Sequence, residues 1–246
     1  MKKVFMLLSI CVACNTAMAQ EKTAGAIEQK NIVKINLFAL AFKNIAGQYE
    51  RAVSKKIAVA ATVRFMPKGS LPFKRIIKNA VNNPETKKQI DNINVGNFAF
   101  IPEVRFYLGR KGVFNGFYIA PFAGVTRYTA DLPYNYDDGG VTKFIPLAGG
   151  VTTFTGGFLF GAQWKLGKQV YLDWWILGPN YGKSNGKVSG QKTLTPFEQQ
   201  SLRDELSKLN IPLTKITYAV DGNGATINFN GPWAGVRSGL CVGFRF

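Results

Sequence analysis

The sequence predicts an all-β protein, an eight-stranded antiparallel transmembrane β-barrel with long external loops that contain short helices. Three observations predict this fold class. The N-terminus resembles a secretion signal, apolar and polar residues alternate in several segments, and the connections between these segments alternate between short and long. We divide the 246 residues into a signal peptide (1–19), a periplasmic lead-in (20–31) and an outer-membrane β-barrel (32–246).

The N-terminal residues have the composition of a signal peptide. Lys2 and Lys3 form a basic start, an apolar stretch follows, and Ala17 and Ala19 are the small residues that precede a cleavage site. The apolar stretch is too short to cross about 30 Å of hydrocarbon as a helix, which argues against a membrane anchor. We therefore expect cleavage after Ala19 and a location in the outer membrane of a Gram-negative cell.

Composition excludes several kinds of chemistry. Cys11 and Cys14 lie in the predicted signal peptide, so the mature chain keeps only Cys241 and can form no internal disulfide. The sequence contains no histidine, the residue on which Ser-His triads and most zinc sites depend. We expect no enzymatic activity, no cofactor and no metal site.

Period-two alternation predicts the strands. The clearest case lies at 97–109, where Phe98 and Phe100 face one side and Glu103 and Arg105 face the other. No single strand is decisive, but their order along the chain is typical of a barrel. The predicted strands are residues 32–41, 45–53, 57–65, 97–109, 116–128, 151–166, 170–176 and 236–246.

The final predicted strand also has one apolar face. Val236, Leu240 and Val242 point one way, and the arginine and glycine residues between them point the other way. A strand that closes on an aromatic residue is typical of outer-membrane barrels, in which the apolar face meets lipid and the other face lines a lumen. We expect the barrel-assembly machinery to be a partner of this strand, which ends on Phe246.

The connections are short on one side of the predicted barrel and mostly long on the other. Tight turns follow the second, fourth and sixth strands, whereas loops at 67–96, 129–150 and 178–231 follow the third, fifth and seventh. In the first of these loops, apolar residues recur at i, i+3, i+4 and i+7 from Phe73. That spacing predicts a helix, which we expect Pro84 to end.

The loop at 178–231 contains two further predicted elements. Thr195 and Glu198 form a capping box with proline at the first helical position, which predicts a helix to about residue 210. Residues 214–230 predict a hairpin around residues 221–224.

Inward-facing positions of the predicted strands carry charges of both signs. A single charge in a closed lumen is costly, so these residues are expected to pair. A barrel of about eight strands is just wide enough to be filled by its own side chains. We therefore interpret the charges as a polar plug, with an ion path as the alternative. The predicted members are Lys34, Glu50, Arg64, Glu103, Arg105, Asp173 and Arg237.

The chain is strongly basic, with a formal net charge of +17 that cleavage of the signal peptide lowers to +15. In the loop at 67–96, Lys74, Arg75 and Lys78 surround the apolar stripe of the predicted helix. An amphipathic basic helix can lie in a membrane interface with its cations towards lipid phosphates. We predict outer-membrane lipid and glycolipid as partners; a helix that covers the barrel mouth as a lid is the alternative. We expect no nucleic-acid partner.

Short motifs recur near the start of the predicted barrel. KINL at 34–37 is followed by NIAGQYE at 44–50 and a KK turn at 55–56, and GFYIAPFAG occupies 116–124. These motifs resemble a family of small outer-membrane β-barrels common in Bacteroidota, over about half of the chain. The resemblance implies an OmpA-like eight-stranded barrel, and it carries no assigned activity or catalytic residues.

These features favour a structural or surface-interaction protein of the outer membrane that acts through basic external loops. A pore or transporter for small solutes with the same fold is one alternative. A soluble secreted β-sandwich that binds a ligand is the other, although its strands would need polar residues on their outer faces.

Overall fold

The computed structural model describes residues 29–82, 84–138, 140–209 and 212–246. The predicted signal peptide, its cleavage site and most of the lead-in lie outside these residues. In chain order the elements are β1 (Asn31–Asn36), α1 (Leu37–Ala41), β2 (Ile45–Ala52), β3 (Ile57–Ser70), α2 (Lys74–Ala80), α3 (Pro84–Asn92), β4 (Asn94–Tyr107), β5 (Gly116–Asp138), β6 (Val141–Lys165), β7 (Val170–Gln191), α4 (Pro196–Ser207), β8 (Lys215–Asp221) and β9 (Gly224–Arg245).

The strands form one antiparallel sheet that closes on itself. The neighbours run in the order β1-β2-β3-β4-β5-β6-β7-β9-β8, and β1 also pairs with β9. The closing pair places Ile32 opposite Arg245 and Asn36 opposite Cys241. Eight strands therefore make a closed ring, and β8 lies outside it along β9. This single closed sheet differs from the two packed sheets of the β-sandwich alternative.

Side chains alternate between the two faces of the ring wall. On β3, Val59, Val63 and Phe65 are exposed on the outer face, whereas Ala58 and Thr62 are buried inside. Because successive side chains of a strand point to opposite faces, an apolar outer face and a mixed inner face follow directly from the sequence pattern.

The first strand is shorter than the sequence predicts. β1 ends at Asn36, and residues 37–41 form helix α1. The Asn36 side chain caps this helix, because its Oδ1 accepts a hydrogen bond from the Ala39 amide at 3.1 Å. Alternation also stops here, since residues 37–42 are all apolar. The prediction of a strand over 32–41 was therefore wrong beyond Asn36.

The predicted loop at 129–150 is a long β-hairpin. β5 runs to Asp138, β6 starts at Val141, and the two strands pair without interruption from Gly116 and Gln163 to this end. The prediction of a loop was wrong because each strand of this segment is stabilised by its partner. Its own sequence contains proline and glycine, which are typical of loops.

Much of the predicted loop at 178–231 is also paired strand. β7 continues to Gln191 and pairs with β9, which begins at Gly224. The hairpin predicted for 214–230 is present as β8 and the start of β9. We call residues 129–150 and 182–231 the extension, because they continue four ring strands on the side opposite the short turns.

The loop at 67–96 holds two helices. α2 agrees with the apolar stripe that starts at Phe73. Pro84 was expected only to end that helix, but it begins α3, because the fixed φ of proline suits a first helical turn. β4 then starts at Asn94, earlier than predicted.

The extension has a hydrophobic core of its own. α4 begins at the predicted capping box, in which Glu198 Oε2 accepts a hydrogen bond from the Thr195 amide at 2.9 Å. Leu202 and Leu206 on the inner side of this helix are buried. They pack with apolar residues of the sheet, namely Ile145, Leu147, Val188, Val220, Ala225 and Ile227.

Candidate functional site

Charged side chains from five strands meet inside the ring. We define the plug as Lys34 on β1, Glu50 on β2, Glu103 and Arg105 on β4, Asp173 on β7 and Arg237 on β9. The first five are at most 4% exposed. Each occupies an inward position of its strand, so the period-two alternation brings them together although they are far apart in sequence.

Lys34 lies at the centre of the plug. Its Nζ contacts the carboxylate of Glu50, lies 2.5 Å from Asp173 Oδ2 and donates a hydrogen bond to Gln163 Oε1 at 2.9 Å. Gly243 lies directly opposite Lys34 on β9. A Cβ atom at Gly243 would lie 2.8 Å from Lys34 Cγ, so glycine at this position makes room for the lysine.

Arg105 connects the carboxylates on either side of it. Its Nε lies 2.6 Å from Glu103 Oε1, and its Nη1 lies 2.7 Å from Asp173 Oδ2. The other terminal nitrogen, Nη2, donates a hydrogen bond to Gln48 Oε1 at 2.8 Å. The guanidinium also lies over the Tyr118 ring, 4.4 Å from its centroid, where a cation–π contact adds to the attraction.

Arg237 closes the plug on the side of the extension. It forms an ion pair with Glu103 and donates a hydrogen bond from Nη2 to Thr62 Oγ1 at 2.9 Å. Its guanidinium lies 4.1 Å from the Trp175 ring centroid and 5.3 Å from that of Phe122. All of its polar and aromatic neighbours therefore hold it against the plug.

The plug is electrically neutral, because three cations pair with three carboxylates. Further donors complete it: Tyr107 Oη donates to Glu50 at 2.6 Å, and Tyr118 Oη and Trp175 Nε1 donate to Asp173 at 2.8 and 3.0 Å. Removing one partner from a buried ion pair typically costs about 3–5 kcal/mol, since the other charge is left uncompensated. Loss of any one charged member of the plug would therefore leave a buried charge without its partner.

An aromatic layer lies next to the plug, towards the short turns. Phe114 is fully buried, and its ring packs edge-on against Tyr107 and Tyr171, with centroid distances of 6.4 and 6.3 Å. The guanidinium of Arg245 covers it at 5.2 Å. Plug and aromatic layer together place buried side chains across the interior of the ring at two successive levels.

The predicted lumen residues fall into two groups. Six of the seven are members of the plug, and Arg64 is not, because its Nε donates to Asn97 Oδ1 at 3.2 Å, nearer the extension. Sequence analysis missed the neutral partners of the charges. Gln48 and Gln163 occupy inward positions of the alternation, which was a usable signal. β5 is nearly all apolar, so its sequence did not indicate whether Tyr118 points into or out of the ring.

The predicted basic site on α2 is partly neutralised. Lys74 and Lys78 contact Asp91 of α3, at 2.9 and 2.5 Å. Hydrogen bonds from Lys78 and then Lys74 hold the pKa of the Asp91 carboxyl below its ordinary value. Arg75 is exposed and has no ion pair within the part of the chain that the structure describes. Ile76 is 66% exposed, so the apolar stripe is uncovered.

Comparison with protein-family models finds no match, and comparison with curated proteins finds no similar sequence. The resemblance to small barrels of Bacteroidota therefore stays a prediction. No helix in the described residues is long and apolar enough to cross a membrane.

Proposed function

We propose that the protein is an integral outer-membrane β-barrel whose lumen is closed by its own charges and whose extension and basic loop act at the cell surface. One observation carries this proposal: large apolar side chains on the outer face encircle the ring and remain exposed. A continuous apolar surface of this size is unusual on a soluble monomer and typical of a lipid-facing belt. Its members include Val33, Tyr49, Val59, Val63, Phe98, Phe100, Phe106, Phe117, Phe154, Phe158, Phe160, Trp174, Leu240, Val242 and Phe244.

The height of this belt supports the proposal. On β7, exposed apolar residues extend from Val170 to Tyr181. At about 3.3 Å per residue this stretch is roughly 36 Å long, and a strand tilt of about 40° reduces it to a rise of roughly 28 Å. An outer-membrane apolar band is about 25 Å tall. The apolar stretch of β7 is therefore long enough to cross the apolar part of an outer membrane once.

Charge at the end with the short turns also supports it. The cations there are Arg51, Lys55, Lys56, Arg110, Lys111, Lys165, Lys168 and Arg245. In the described residues of this end, no Asp or Glu accompanies them. Cations just beyond an apolar belt are well placed to contact lipid phosphates.

Packing inside the ring favours a closed barrel over the alternative of a solute pore. The plug residues are buried and paired, and Phe114 fills the ring beside them. An ion that crossed would have to separate charges such as Lys34 and Asp173, which lie 2.5 Å apart. We therefore infer a protein that does not conduct.

The experiment for the closed barrel uses the full protein refolded in planar bilayers. We expect heat-dependent migration on gels, typical of barrels, together with at most small and rare conductance steps. Changing both Glu103→Gln and Arg105→Gln should open or destabilise the lumen. A steady, large conductance of the unmodified protein would favour the pore, and loss of the protein from membranes on carbonate washing would contradict membrane integration.

The basic loop supports a contact with anionic glycolipid rather than a lid. The apolar residues of α2 do not pack into the ring mouth, and Phe73 contacts Phe42 at the rim, with a centroid distance of 5.0 Å. Uncovered apolar side chains beside the free guanidinium of Arg75 fit a helix that lies in the membrane interface.

The glycolipid contact is tested by changing Lys74, Arg75 and Lys78 to Gln. We expect normal folding and weaker binding to vesicles that contain anionic glycolipid, and the wild-type binding should fall as salt is added. The matched control changes Lys183 and Lys187, exposed on the extension, to Gln and should bind like the wild type. Equal binding by the triple variant and the wild type at low salt would favour the lid.

A further inference from the structure

Arg64, an inward cation of β3, has no carboxylate partner among the described residues. The plug is neutral, and Arg64 lies beyond it, towards the extension, on the inner side of β3. Arg64 Nε donates to Asn97 Oδ1, while Nη1 and Nη2 have no hydrogen-bond partner among the described residues. An unpaired guanidinium that is half-buried is costly to keep, and two free nitrogens in one plane match the two oxygens of a carboxylate.

A cavity of about 340 Å³ lies beside this guanidinium. Inward-facing Thr62, Arg64 and Asn97 line one side of it. A smaller cavity of about 90 Å³ also borders Arg64 and is lined by Tyr128 and Trp233, whose rings lie 5.3 Å apart. Ligand sites in proteins are concave and mostly apolar, with a few polar groups that fix orientation, and this volume falls in their usual range of about 300–1,000 Å³.

The larger cavity also reaches the side of the ring. Pairing between β1 and β9 stops at Asn36 and Cys241, so Val236 and Arg237 of β9 pair with β7 but not with β1. Helix α1 lies against β9 at this seam. The cavity is lined there by Phe38 of α1 and by Val236, which are 49% and 68% exposed on the outer surface.

The seam therefore joins a cationic interior to the apolar belt. Phe38, Phe42 and Val236 form an apolar part of the cavity lining, and Arg64 lines the part inside the ring. A ligand that suits both ends has an anionic head and an apolar chain. Arg237 also borders the cavity, but it is already paired with Glu103, so the cavity offers a single uncompensated positive charge.

We propose that this cavity binds a single-chain amphiphile with one carboxylate, that is, a fatty acid. The carboxylate accepts two hydrogen bonds from Arg64, and the chain follows the seam between α1 and β9 towards the belt. One uncompensated cation matches a monoanion better than a phosphate dianion. The exit of the chain into lipid rests on the proposed membrane location, whereas the contact with Arg64 does not.

The test measures laurate binding by calorimetry to the full protein in a non-ionic detergent. We expect saturable binding that Arg64→Gln weakens about 10- to 100-fold, because a pair of charge-assisted hydrogen bonds is lost. Arg64→Lys, which keeps the charge, should retain most of the affinity. Arg127→Gln removes an exposed outer arginine and should bind like the wild type. Dodecanol, which lacks the carboxylate, should bind wild type and Arg64→Gln equally.

Chain length gives a second, independent readout. Butyrate should bind at least about tenfold more weakly than laurate, because fewer methylene groups leave water. Val236→Trp fills the seam at an exposed position, so it should fold normally and weaken laurate but not butyrate. Absence of saturable laurate binding, or equal laurate affinity in wild type and Arg64→Gln, would overturn the proposal. Equal affinity for butyrate and laurate would also overturn it. The proposal of a closed barrel is tested separately, by the conductance measurement and by carbonate washing of membranes.

Discussion

The ring and the extension are built from the same strands with opposite polarity. On the ring part of β7, Trp174 is exposed on the outside and Asp173 is buried inside. On the extension part of the same strand, Lys187 is exposed outside and Val188 is buried inside. β7 and β9 stay paired through both parts, and a β-bulge between Trp175 and Gly178 shifts the outward positions of β7 from even to odd numbers. This reversal is what the proposed membrane location predicts, with the ring part of the strand facing lipid and the extension part facing water.

In the proposed membrane location, the reversal marks the level at which lipid gives way to water. On β7, Tyr181 is the last large apolar residue on the outer face, and Lys183 follows it. On β9, outward residues change from Val236 to Asn230 and Asn228 in the direction of the extension. Neighbouring strands reverse at similar levels, which defines one boundary around this side of the ring.

Each part is also stabilised differently. The ring interior combines buried ion pairs and hydrogen bonds with an apolar cluster around Phe114 and Leu159, whereas the extension is held by an apolar core around Leu202 and Leu206. A core of ion pairs fails when one member is removed, because the remaining charges stay buried.

The largest effect is therefore expected from Arg105→Ala. It leaves three carboxylates partly uncompensated and should lower the free energy of unfolding by about 3–5 kcal/mol. Urea unfolding in detergent micelles measures the change. Arg127→Ala, on the exposed outer face, is the matched control and should change stability by less than about 0.5 kcal/mol. Similar changes in the free energy of unfolding for both variants would show that the plug does not stabilise the ring.

The next effect sharpens the contrast between the two outer faces. Phe100→Arg places a charge in the middle of the belt, where it should cost about 2–4 kcal/mol and impair assembly into membranes. Ser189→Arg places the same charge on the outer face of the extension, where water surrounds it, and should have almost no effect. Folding yield in lipid vesicles compares the two. Equal tolerance of both changes would contradict the assigned boundary.

The smallest effect concerns acid stability of the extension. The backbone hydrogen bond from Thr195, followed by that from Lys143, lowers the pKa of Glu198 from 4.5 to about 2. A carboxyl whose pKa is lowered by folding stabilises the folded state above its unfolded pKa. This stabilisation is lost as the pH falls from 4.5 to about 2.

Amide exchange of α4 measures this loss. Protection should decrease across that pH window in the wild type, and Glu198→Gln should remove the decrease. Asp204→Asn changes an exposed acid of the same helix and should leave the wild-type profile. An unchanged profile in Glu198→Gln would mean that another group is responsible.

The inward and outward positions of the ring were predictable because they follow from the alternation of residues within each single strand. Alternation within one strand, as at Phe98 to Arg105, fixes which side chains face in, and that is enough to collect the charged members of the plug. Their pairing was less predictable, since Lys34 and Asp173 are 139 residues apart and meet only through the closure of the sheet.

The extension was not predictable in the same way. Residues 129–150 contain prolines and glycines and become strand through their partner strands, which no local pattern reveals. α4 was recognised because a capping box is a local signal. α1 was missed because the apolar run after Asn36 has no period that separates a short helix from a strand.

We propose that the outer face of the ring meets lipid while that of the extension meets water. Spin labels on cysteines introduced at Phe158 and Lys187, in a Cys241→Ala background, test it in lipid vesicles. The label at 158 should be relaxed mainly by oxygen, which concentrates in lipid. The label at 187 should be relaxed mainly by a water-soluble nickel complex. Relaxation of both labels by the nickel complex to the same extent would show that the ring does not face lipid.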